Sequence, residues 1–533
     1  MVLAAGCWIR WKIATGELLW LDELHTGWVV GGSFEQVLTR SAQGNQAPLF
    51  FGLVWSAIQW LETSELSLRL VSLLAAILAM VVAAGFVWQQ TKSIAAATLT
   101  LTLIAIDDSF IWYATEARPY SLLHLASVIQ VACFWRSLQR WRNITPDDSA
   151  AILSHWLGTI GLLLSSWVVV YTHYTGVFLL VAEVLFLLPM LLGRYLTGNA
   201  IKEMVATIVL FTIGCLPLLV QMNQAFGKPS DWSSVAKLTQ FQAEQAVNGI
   251  RWFGIPLVAV GLSIASVSFH KRRAPVVTTP ADPWLNVWVS WIAVWFLVPL
   301  LIITGLHLYG IPIALSRYLS VGLIAGPIFA GALVGNCSMQ NRWIAIPLIL
   351  LASVYAHWHG QIQLGTTQPR LQLSYRVIQS IVGAGQLPLL RSENWRAPIE
   401  VVNNRSDKAK WPLFLFGAVI EDANALVDAN PEFQAYLQFP VQSLYAVDDA
   451  ARIVFAGPTI QQQHFDDRYL NEIIGQGGAW VLVRHEPQLT QEIGNELERR
   501  IRVQLAEPNA VIESNWFGNR ENLVQLISFE IKQ

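Results

Sequence analysis

Charge is what this 533-residue chain lacks: only 13% of its residues are Asp, Glu, Lys or Arg, about half the share of an ordinary soluble domain. So little charge cannot coat a wholly soluble enzyme of this length, and 54% hydrophobic residues exclude a disordered chain. The 34 basic residues are offset by 36 acidic ones, a formal net charge of −2. No global positive field therefore gathers polyanions, and no nucleic-acid partner is expected. Cysteine is scarce as well. Cys7, Cys133, Cys215 and Cys337 lie far apart in or beside apolar stretches. That excludes a disulfide framework or thiolate zinc site in the polar last third. No cleavable signal peptide is evident, and the apolar opening MVLAAGCWI is too short to cross a bilayer of about 30 Å. It is expected to be the stub of a longer first helix.

What the chain has in quantity is tryptophan, 24 residues, and long apolar runs. Tryptophan concentrates where protein crosses the membrane–water interface. Runs long enough to span lie near 66–89, 94–112, 119–139, 151–173, 175–193, 203–222, 246–268, 285–304, 317–336 and 343–358. At about 20 residues per crossing they predict about ten spans besides the N-terminal stub. Basic residues recur in alternate connections: Lys92; Arg136, Arg140 and Arg142; Arg194 and Lys202; Lys271, Arg272 and Arg273; Arg342. The positive-inside rule makes those connections cytoplasmic. The others, and everything after about residue 359, then lie on the extracytoplasmic side of a plasma (inner) membrane. Beyond Gly360 charge returns to ordinary density, and strand-like runs at 411–417, 451–457, 479–484 and 523–531 alternate with helical stretches near 394–404, 466–475 and 488–501. The expected fold is a polytopic α-helical membrane protein of about ten to eleven transmembrane helices, residues 1–359, followed by a soluble extracytoplasmic α/β domain, residues 360–533.

The polar residues of the apolar part collect on the extracytoplasmic side. LWLDELHTGW carries Asp22, Glu23 and His25, and GNQAPLFFGLVW carries Gln46 and Pro48 before a short apolar stretch, 47–61, read as an interfacial helix. SELSLRL places Glu65 and Arg69 at i,i+4, the spacing of a helix-end ion pair beneath a Ser64 cap. Only about 13 apolar residues separate Ser93 from Asp107, some 20 Å of helix against a 30 Å layer. Asp107 and Asp108 facing lipid at that depth would be costly, so both are expected to face a wet cavity. In TEARPYSLL, Arg118 precedes Pro119, which favours an extended residue followed by a helix start. Arg118, the helix N-terminus and neighbouring Glu116 and Tyr120 then outline an anion site. Further outer-face candidates are His173, Lys228, Asp231, His307 and Arg317–Tyr318, the arginine suited either to a lipid phosphate or to snorkelling. His124 is read as a helix–helix hydrogen-bond partner, and His464 with Asp466 and Asp467 is too thin for a metal site.

Taken in order, LDE at 21–23, QAPLFF at 46–51, SELSLRL at 64–70, TEARPYSLL at 115–123 and SRYLS at 316–320 resemble the GT-C superfamily of integral-membrane glycosyltransferases. The likeness is to the protein O-mannosyltransferase, aminoarabinose-transferase and Rgt-like branch (glycosyltransferase family 39 type). It covers roughly residues 15–340. The resemblance implies a polyprenyl-phosphate sugar as donor and a lipid, glycan or protein as acceptor. It makes Asp22, with Glu23 beside it, the catalytic base or a metal-and-substrate ligand. Glu116, Arg118 and Tyr120 would shape the donor or acceptor pocket, and the loop of Gln46 and Pro48 would serve the acceptor; Asp107, Asp108 and His173 join them as substrate-binding candidates from their place on the outer face, not from the resemblance. Arg317, beside Tyr318, matches a basic residue near the lipid phosphate. A divalent metal ion is the one cofactor implied, with Asp22 and Glu116 as ligands. The family's His-Pro-Pro or Pro-Pro pair is here Gln46-Ala47-Pro48, a departure in the second element.

The expected reaction is sugar transfer at the extracytoplasmic face. Asp22 takes the acceptor proton, and Arg317, Arg118 or a metal steadies the leaving phosphate. A single displacement predicts inversion. A lipid or solute transporter is the rival reading, although no internal repeat is visible. An assembly scaffold built around the α/β domain is a third.

Overall fold

A backbone inside hydrocarbon must satisfy its own N–H and C=O groups, so uninterrupted apolar sequence becomes helix. The computed structural model describes residues 1–44, 46–143, 149–193, 196, 198–226, 283–309, 316–359, 394–417, 435–436, 438–448, 453–457, 475–484, 495, 499, 510–519 and 522–531. In chain order the α-helices are α1 (Val2–Gly16), α2 (Leu21–Val30), α3 (Phe34–Gln43), α4 (Leu49–Ile58), α5 (Glu65–Thr91), α6 (Ile94–Ile106), α7 (Asp108–Ala114) and α8 (Tyr120–Asn143). They continue with α9 (Ser149–Thr172), α10 (Val177–Leu192), α11 (Gly198–Phe226), α12 (Pro283–Leu308), α13 (Ser320–Leu323), α14 (Ala325–Asn336), α15 (Met339–His359) and α16 (Arg396–Asn404). Among the described residues six helical stretches are long and apolar enough to cross a membrane, or seven if the bent pair α6–α7 is one span. The run expected at 151–173 is helical, with an apolar stretch at Leu157–Thr172, and the run at 343–358 lies within α15. The expected span at 246–268 falls outside the described residues.

The chain divides into two compact units. One comprises Met1–Ala14, Leu38–Val54 and Arg69–Gln386; the other comprises Thr15–Val37, Trp55–Leu68 and Leu387–Gln533. In the first, the core combines buried tryptophans with glycine at a close helix approach. Trp135, Trp141, Trp288, Trp291 and Trp295 are all fully buried, and Phe134 meets Trp291 with ring centroids 4.8 Å apart. At Gly331 of α14, an added Cβ would fall 2.0 Å from Thr100 Oγ1 and 3.0 Å from the Ala96 carbonyl on α6. Only a residue without a side chain permits that approach, the usual device for packing helices in lipid. Large apolar side chains on the outer face of α11, among them Val205, Ile213, Leu216 and Leu219, are exposed, as lipid-facing positions must be.

The break between α6 and α7 is written in the sequence. Ser93 Oγ accepts from Ala96 N (3.3 Å) and starts α6, which ends after 13 residues. Asp107 then turns extended, and its Oδ1 accepts from Ser109 N (2.8 Å) and Phe110 N (3.2 Å), capping α7 after a bend of 66°. Such a bend strands carbonyls at the end of α6. Buried Arg10 of α1 supplies donors there: Nη2 to Ile104 O (2.8 Å) and Nη1 to Ala105 O (3.0 Å). At the far end of α14, Arg342 donates to the Val334, Gly335 and Cys337 carbonyls, the cationic helix end that the dipole favours.

The second unit holds a five-stranded sheet of order β2-β1-β3-β5-β4, with β1 (Leu413–Gly417), β2 (Ile453–Gly457), β3 (Gly478–Arg484), β4 (Ala510–Asn519) and β5 (Asn522–Ile531). β1 lies parallel to β2 and β3; β5 runs antiparallel to β3 and forms a hairpin with β4. The four expected strands are all present, and β4 was not expected. Its sequence, AVIESNWFGN, mixes polar residues into the run because it pairs with β5 alone, at the sheet edge. The helix expected at 394–404 is α16; those at 466–475 and 488–501 fall almost wholly outside the described residues. In this unit Glu65 is ion-paired with Arg396, whose guanidinium also lies over the Tyr445 ring. Ser64 Oγ accepts from Ser67 N (3.1 Å), the expected cap, whereas Arg69, the residue expected to pair with Glu65, donates to Ala14 O (2.9 Å) within the first unit.

Candidate functional site

In the first unit, three sequence-distant segments bring cations and aromatic rings together. The chain leaves α7 through TEARP. Arg118 is buried, with its carbonyl accepting from Ser72 Oγ of α5 (2.9 Å). Pro119 then opens α8: its carbonyl accepts from Leu123 N (2.9 Å) in the first turn. The Arg118 guanidinium faces the Gln46 amide, whose oxygen and nitrogen are assigned from the hydrogen-bond chemistry: turned toward the arginine, the oxygen accepts from Nη2 (3.0 Å) and Nη1 (3.1 Å). Gln46 is in turn held through its main-chain carbonyl, which accepts from Gln221 Nε2 (2.9 Å) of α11.

Tyr120, the first residue of α8, is buried against Tyr113 at 4.9 Å between ring centroids and against His173 at 5.8 Å. His173 sits in the break between Thr172, the last residue of α9, and the 3₁₀ turn Tyr174–Gly176 that leads into α10. Its backbone is extended, and its Nδ1 accepts from Thr175 N (3.2 Å). The His173 ring also meets Tyr318 at 5.8 Å, and the Arg317 Cζ lies 5.7 Å from the Tyr318 ring centre. Both belong to the 3₁₀ turn Ser316–Leu319 that precedes α13. Burial pushes the His173 imidazole down to about 3, and the positive charges of Arg118 and Arg317 push in the same direction. The result is a neutral imidazole within the field of two permanent cations and in contact with two phenol rings. Guanidinium groups of this kind bind phosphate through their planar fork of donors.

The remaining candidates have distinct placements. Asp107 is buried and its Oδ1 is engaged in capping α7; Asp108 is half-buried on the first turn of that helix; Glu116 is buried between α7 and α8. Pro48 precedes α4, its carbonyl accepting from Gly52 N (3.0 Å). His124 packs on Phe110 at 5.0 Å and on Tyr113 at 5.7 Å. Lys228, Asp231, His464, Asp466 and Asp467 fall outside the described residues, as does the side chain of His307.

Asp22 and Glu23 belong to the second unit, on the first turn of α2. Glu23 is fully buried, and its Oε2 accepts from Trp20 N (3.3 Å), the returning half of a capping box. Asp22 is half-buried, with its carbonyl accepting from Thr26 Oγ1 (3.3 Å). One turn on, His25, Trp28 and Tyr436 form an aromatic triangle with centroid distances of 5.6, 5.4 and 5.5 Å. Among the described residues, no group of three or more His, Cys, Asp or Glu side chains is arranged to hold a metal ion.

One polar cluster escaped the reading of the sequence. Gln130 of α8, Ser165 and Ser166 of α9 and Glu183 of α10 are joined by hydrogen bonds within the spanning helices. The available signal was Glu183 itself, a lone acid in VFLLVAEVLFLLP.

No protein-family model and no curated protein sequence matches the chain. Among solved structures, it is similar to ArnT from Cupriavidus metallidurans bound to undecaprenyl phosphate, at 13% identity and a TM-score of 0.49 over 98% of this chain and 97% of that one. The same protein in its apo state gives 12% and 0.36 over the same shares. The archaeal oligosaccharyltransferase AglB from Archaeoglobus fulgidus, in complex with an inhibitory peptide and a dolichol-phosphate, gives 10% and 0.44 over 100% of this chain and 74% of that one. Similarities this distant leave the chemistry to be read from this chain's own residues.

Proposed function

We propose that this protein is a membrane glycosyltransferase that moves a sugar from a polyprenyl-phosphate-linked donor to an acceptor hydroxyl at the extracytoplasmic face, with inversion at the anomeric carbon. The observation that carries the reading is the cluster of Arg118, His173, Arg317, Tyr120 and Tyr318 at the ends of apolar helices. A substrate with a hydrocarbon tail and a phosphate head fits a cationic site so placed: the tail stays in lipid while the head meets the guanidinium groups. The extracytoplasmic orientation rests on the alternation of basic connections, and the division into a membrane part, 1–359, and an extracytoplasmic α/β part, 360–533, belongs to the same proposal.

The donor is a phosphodiester with one negative charge. As the acceptor oxygen bonds to the anomeric carbon, the bond from that carbon to the phosphate oxygen breaks, and the electron pair leaves on the lipid phosphate. That group ends as a monoester with a second ionisable oxygen. Donors fixed beforehand near the developing charge lower the barrier. Arg118, buried and aimed by Gln46, and Arg317 are the groups assigned here. Asp22 is assigned to accept the acceptor's hydroxyl proton. Glu23, whose carboxylate caps α2, is assigned to hold that turn in shape. Tyr120 and Tyr318 fix the His173 ring, and the neutral imidazole offers hydrogen bonding without a third positive charge.

The test is transfer in proteoliposomes that contain a polyprenyl-phosphate sugar, comparing the native chain with Asp22→Asn and Arg317→Gln. Native transfer with loss in both variants is expected. Full activity in a folded Asp22→Asn variant removes the base, and no transfer from any lipid-phosphate sugar tested removes the reading.

A further inference from the structure

Polar groups deep in a spanning helix are rare, and those retained usually face a partner. Gln130, Ser165, Ser166 and Glu183 lie between α8, α9 and α10, each at most 7% exposed. Gln130 Nε2 donates to Glu183 Oε1 (3.1 Å), to Glu183 Oε2 (3.0 Å) and to Ser166 Oγ (3.0 Å), while Ser165 Oγ donates to Gln130 Oε1. One amide therefore links three helices, both of its ends engaged.

The spacing gives this cluster its meaning. Tyr120 and His173 meet at the top of α8 and in the turn above α10. Gln130 and Glu183 meet ten residues further along each segment, about 15 Å down α8. α8 and the segment that runs from His173 into α10 thus run in the same direction and meet at two matched levels, His173 with Tyr120 at one, aromatic and cationic, and Glu183 of α10 with Gln130 at the other, polar and buried. Apolar helices in lipid have no hydrophobic force to set how far one slides along the other. A single buried polar pair can set it, because every other register strands a carboxyl group and an amide in hydrocarbon.

We propose that the Gln130–Glu183 clasp is a register pin: it fixes α8 against α10 at the level that holds Tyr120 against His173 and so assembles the cationic cluster. Glu183 and Gln130 are positioning residues, remote from the reacting groups. The inference of register stands on the contacts alone; its consequence for transfer rests on the proposed function.

The two are tested separately. In a chain with Cys7, Cys133, Cys215 and Cys337 replaced by serine or alanine, cysteines are placed at Tyr120 and His173. The rate of bridging by a short bis-methanethiosulfonate reports the register without requiring activity. Glu183→Leu and Gln130→Leu, each suited to lipid, are expected to slow bridging at least about fivefold, whereas Glu183→Gln, whose single side-chain oxygen still accepts from Gln130 Nε2, is not. Native bridging rates in both leucine variants overturn the pin. Should neither leucine variant be obtained folded, the exchanged pair Gln130→Glu/Glu183→Gln is compared with Gln130→Asn, whose amide is one methylene short. Native-like bridging in the first and slower bridging in the second is expected, and equal rates overturn the proposal. In parallel, transfer by the cysteine-intact protein is expected to fall in kcat with Glu183→Leu and to recover with Glu183→Gln. Slowed bridging beside a native chain inactive on every lipid-phosphate sugar tested would sink the proposed function and leave the pin in place.

Discussion

The sharpest perturbation available is Arg118→Gln, because the proposed reaction changes the charge the arginine would face. Bound donor presents one negative charge and the leaving phosphate approaches two. At about 4 Å and an effective dielectric near 20, a unit charge is worth about 4 kcal/mol to a guanidinium. A transition state in which half of the new charge has developed gains about 2 kcal/mol over the ground state, or roughly 30-fold in kcat. Buried Arg118 has its planar fork held in place by the Gln46 oxygen at 3.0 and 3.1 Å, so it needs little reorganisation to deliver that energy. Arg118→Gln should therefore lower kcat about 30-fold, beyond whatever donor affinity it removes. It should also weaken inhibition by the free polyprenyl phosphate, the doubly charged product, more than it raises the KM for donor. Arg118→Lys keeps the charge but not the fork, and should fall between. The assay is steady-state transfer in proteoliposomes with added undecaprenyl phosphate as product inhibitor. A folded Arg118→Gln variant whose KM rises while kcat and the ratio of product to donor affinity stay native would refute the reasoning, since the arginine would then be a ground-state anchor alone.

Other positions yield further measurements. Glu23→Ala removes the carboxylate that accepts from Trp20 N, and should cost about 0.5–2 kcal/mol of stability, with Glu23→Gln restoring most of it; transfer that collapses in a stable Glu23→Gln variant would return Glu23 to the chemistry. His173, pushed to about 3 in the folded state against about 6.5 unfolded, leaves the unfolded chain binding the extra proton between those values. Stability should thus fall as pH drops from about 6.5 towards 3, and His173→Phe should shrink the loss of melting temperature between pH 7 and pH 4; an unchanged difference would show that the imidazole does not titrate this way. Gly27→Ala on α2 places a Cβ 2.5 Å from Phe439 Cε1 and 2.7 Å from its Cζ, a clash worth about 1–3 kcal/mol that Phe439→Leu should relieve in the double variant. If the double is no more stable than Gly27→Ala alone, the two side chains are not in contact as described.

Much of this was legible in the sequence because hydrocarbon leaves few choices. Ser93 and Asp107 bracket a run too short to cross, and both turn out to cap helices, with a 66° bend between α6 and α7. TEARPYSLL announces a helix start at Pro119, and α8 begins at Tyr120. The long-range pairings were hidden. Nothing near Glu65 reveals that its partner is Arg396, 331 residues away, rather than Arg69 at i,i+4. His173 stood in the sequence only as one outer-face candidate among several, because its neighbours Tyr120 and Tyr318 lie 53 and 145 positions distant. Glu183 was overlooked because it does not interrupt its helix: a lone acid leaves the apolar average of a span almost unchanged, and only a partner on another helix gives it a purpose.

Among the described residues, the placement of polar groups favours the proposed enzyme over a transporter. A translocation path needs polar surface along the depth of the bundle, commonly at broken helices near mid-membrane. Here the cations of the candidate site sit at helix ends, Arg118 before α8 and Arg317 in the turn before α13, with His173 above α10, while mid-helix Arg10 is closed on the Ile104 and Ala105 carbonyls. Deeper down, the Gln130 amide is closed on Glu183, Ser165 and Ser166. A group engaged at both ends offers nothing to a passing solute. Vesicles that carry the protein and a polyprenyl-phosphate sugar should therefore yield glycosylated acceptor on one side with no release of sugar or lipid head group to the other. Flux in the absence of acceptor, undiminished by Arg118→Gln, is the result that this arrangement of side chains forbids.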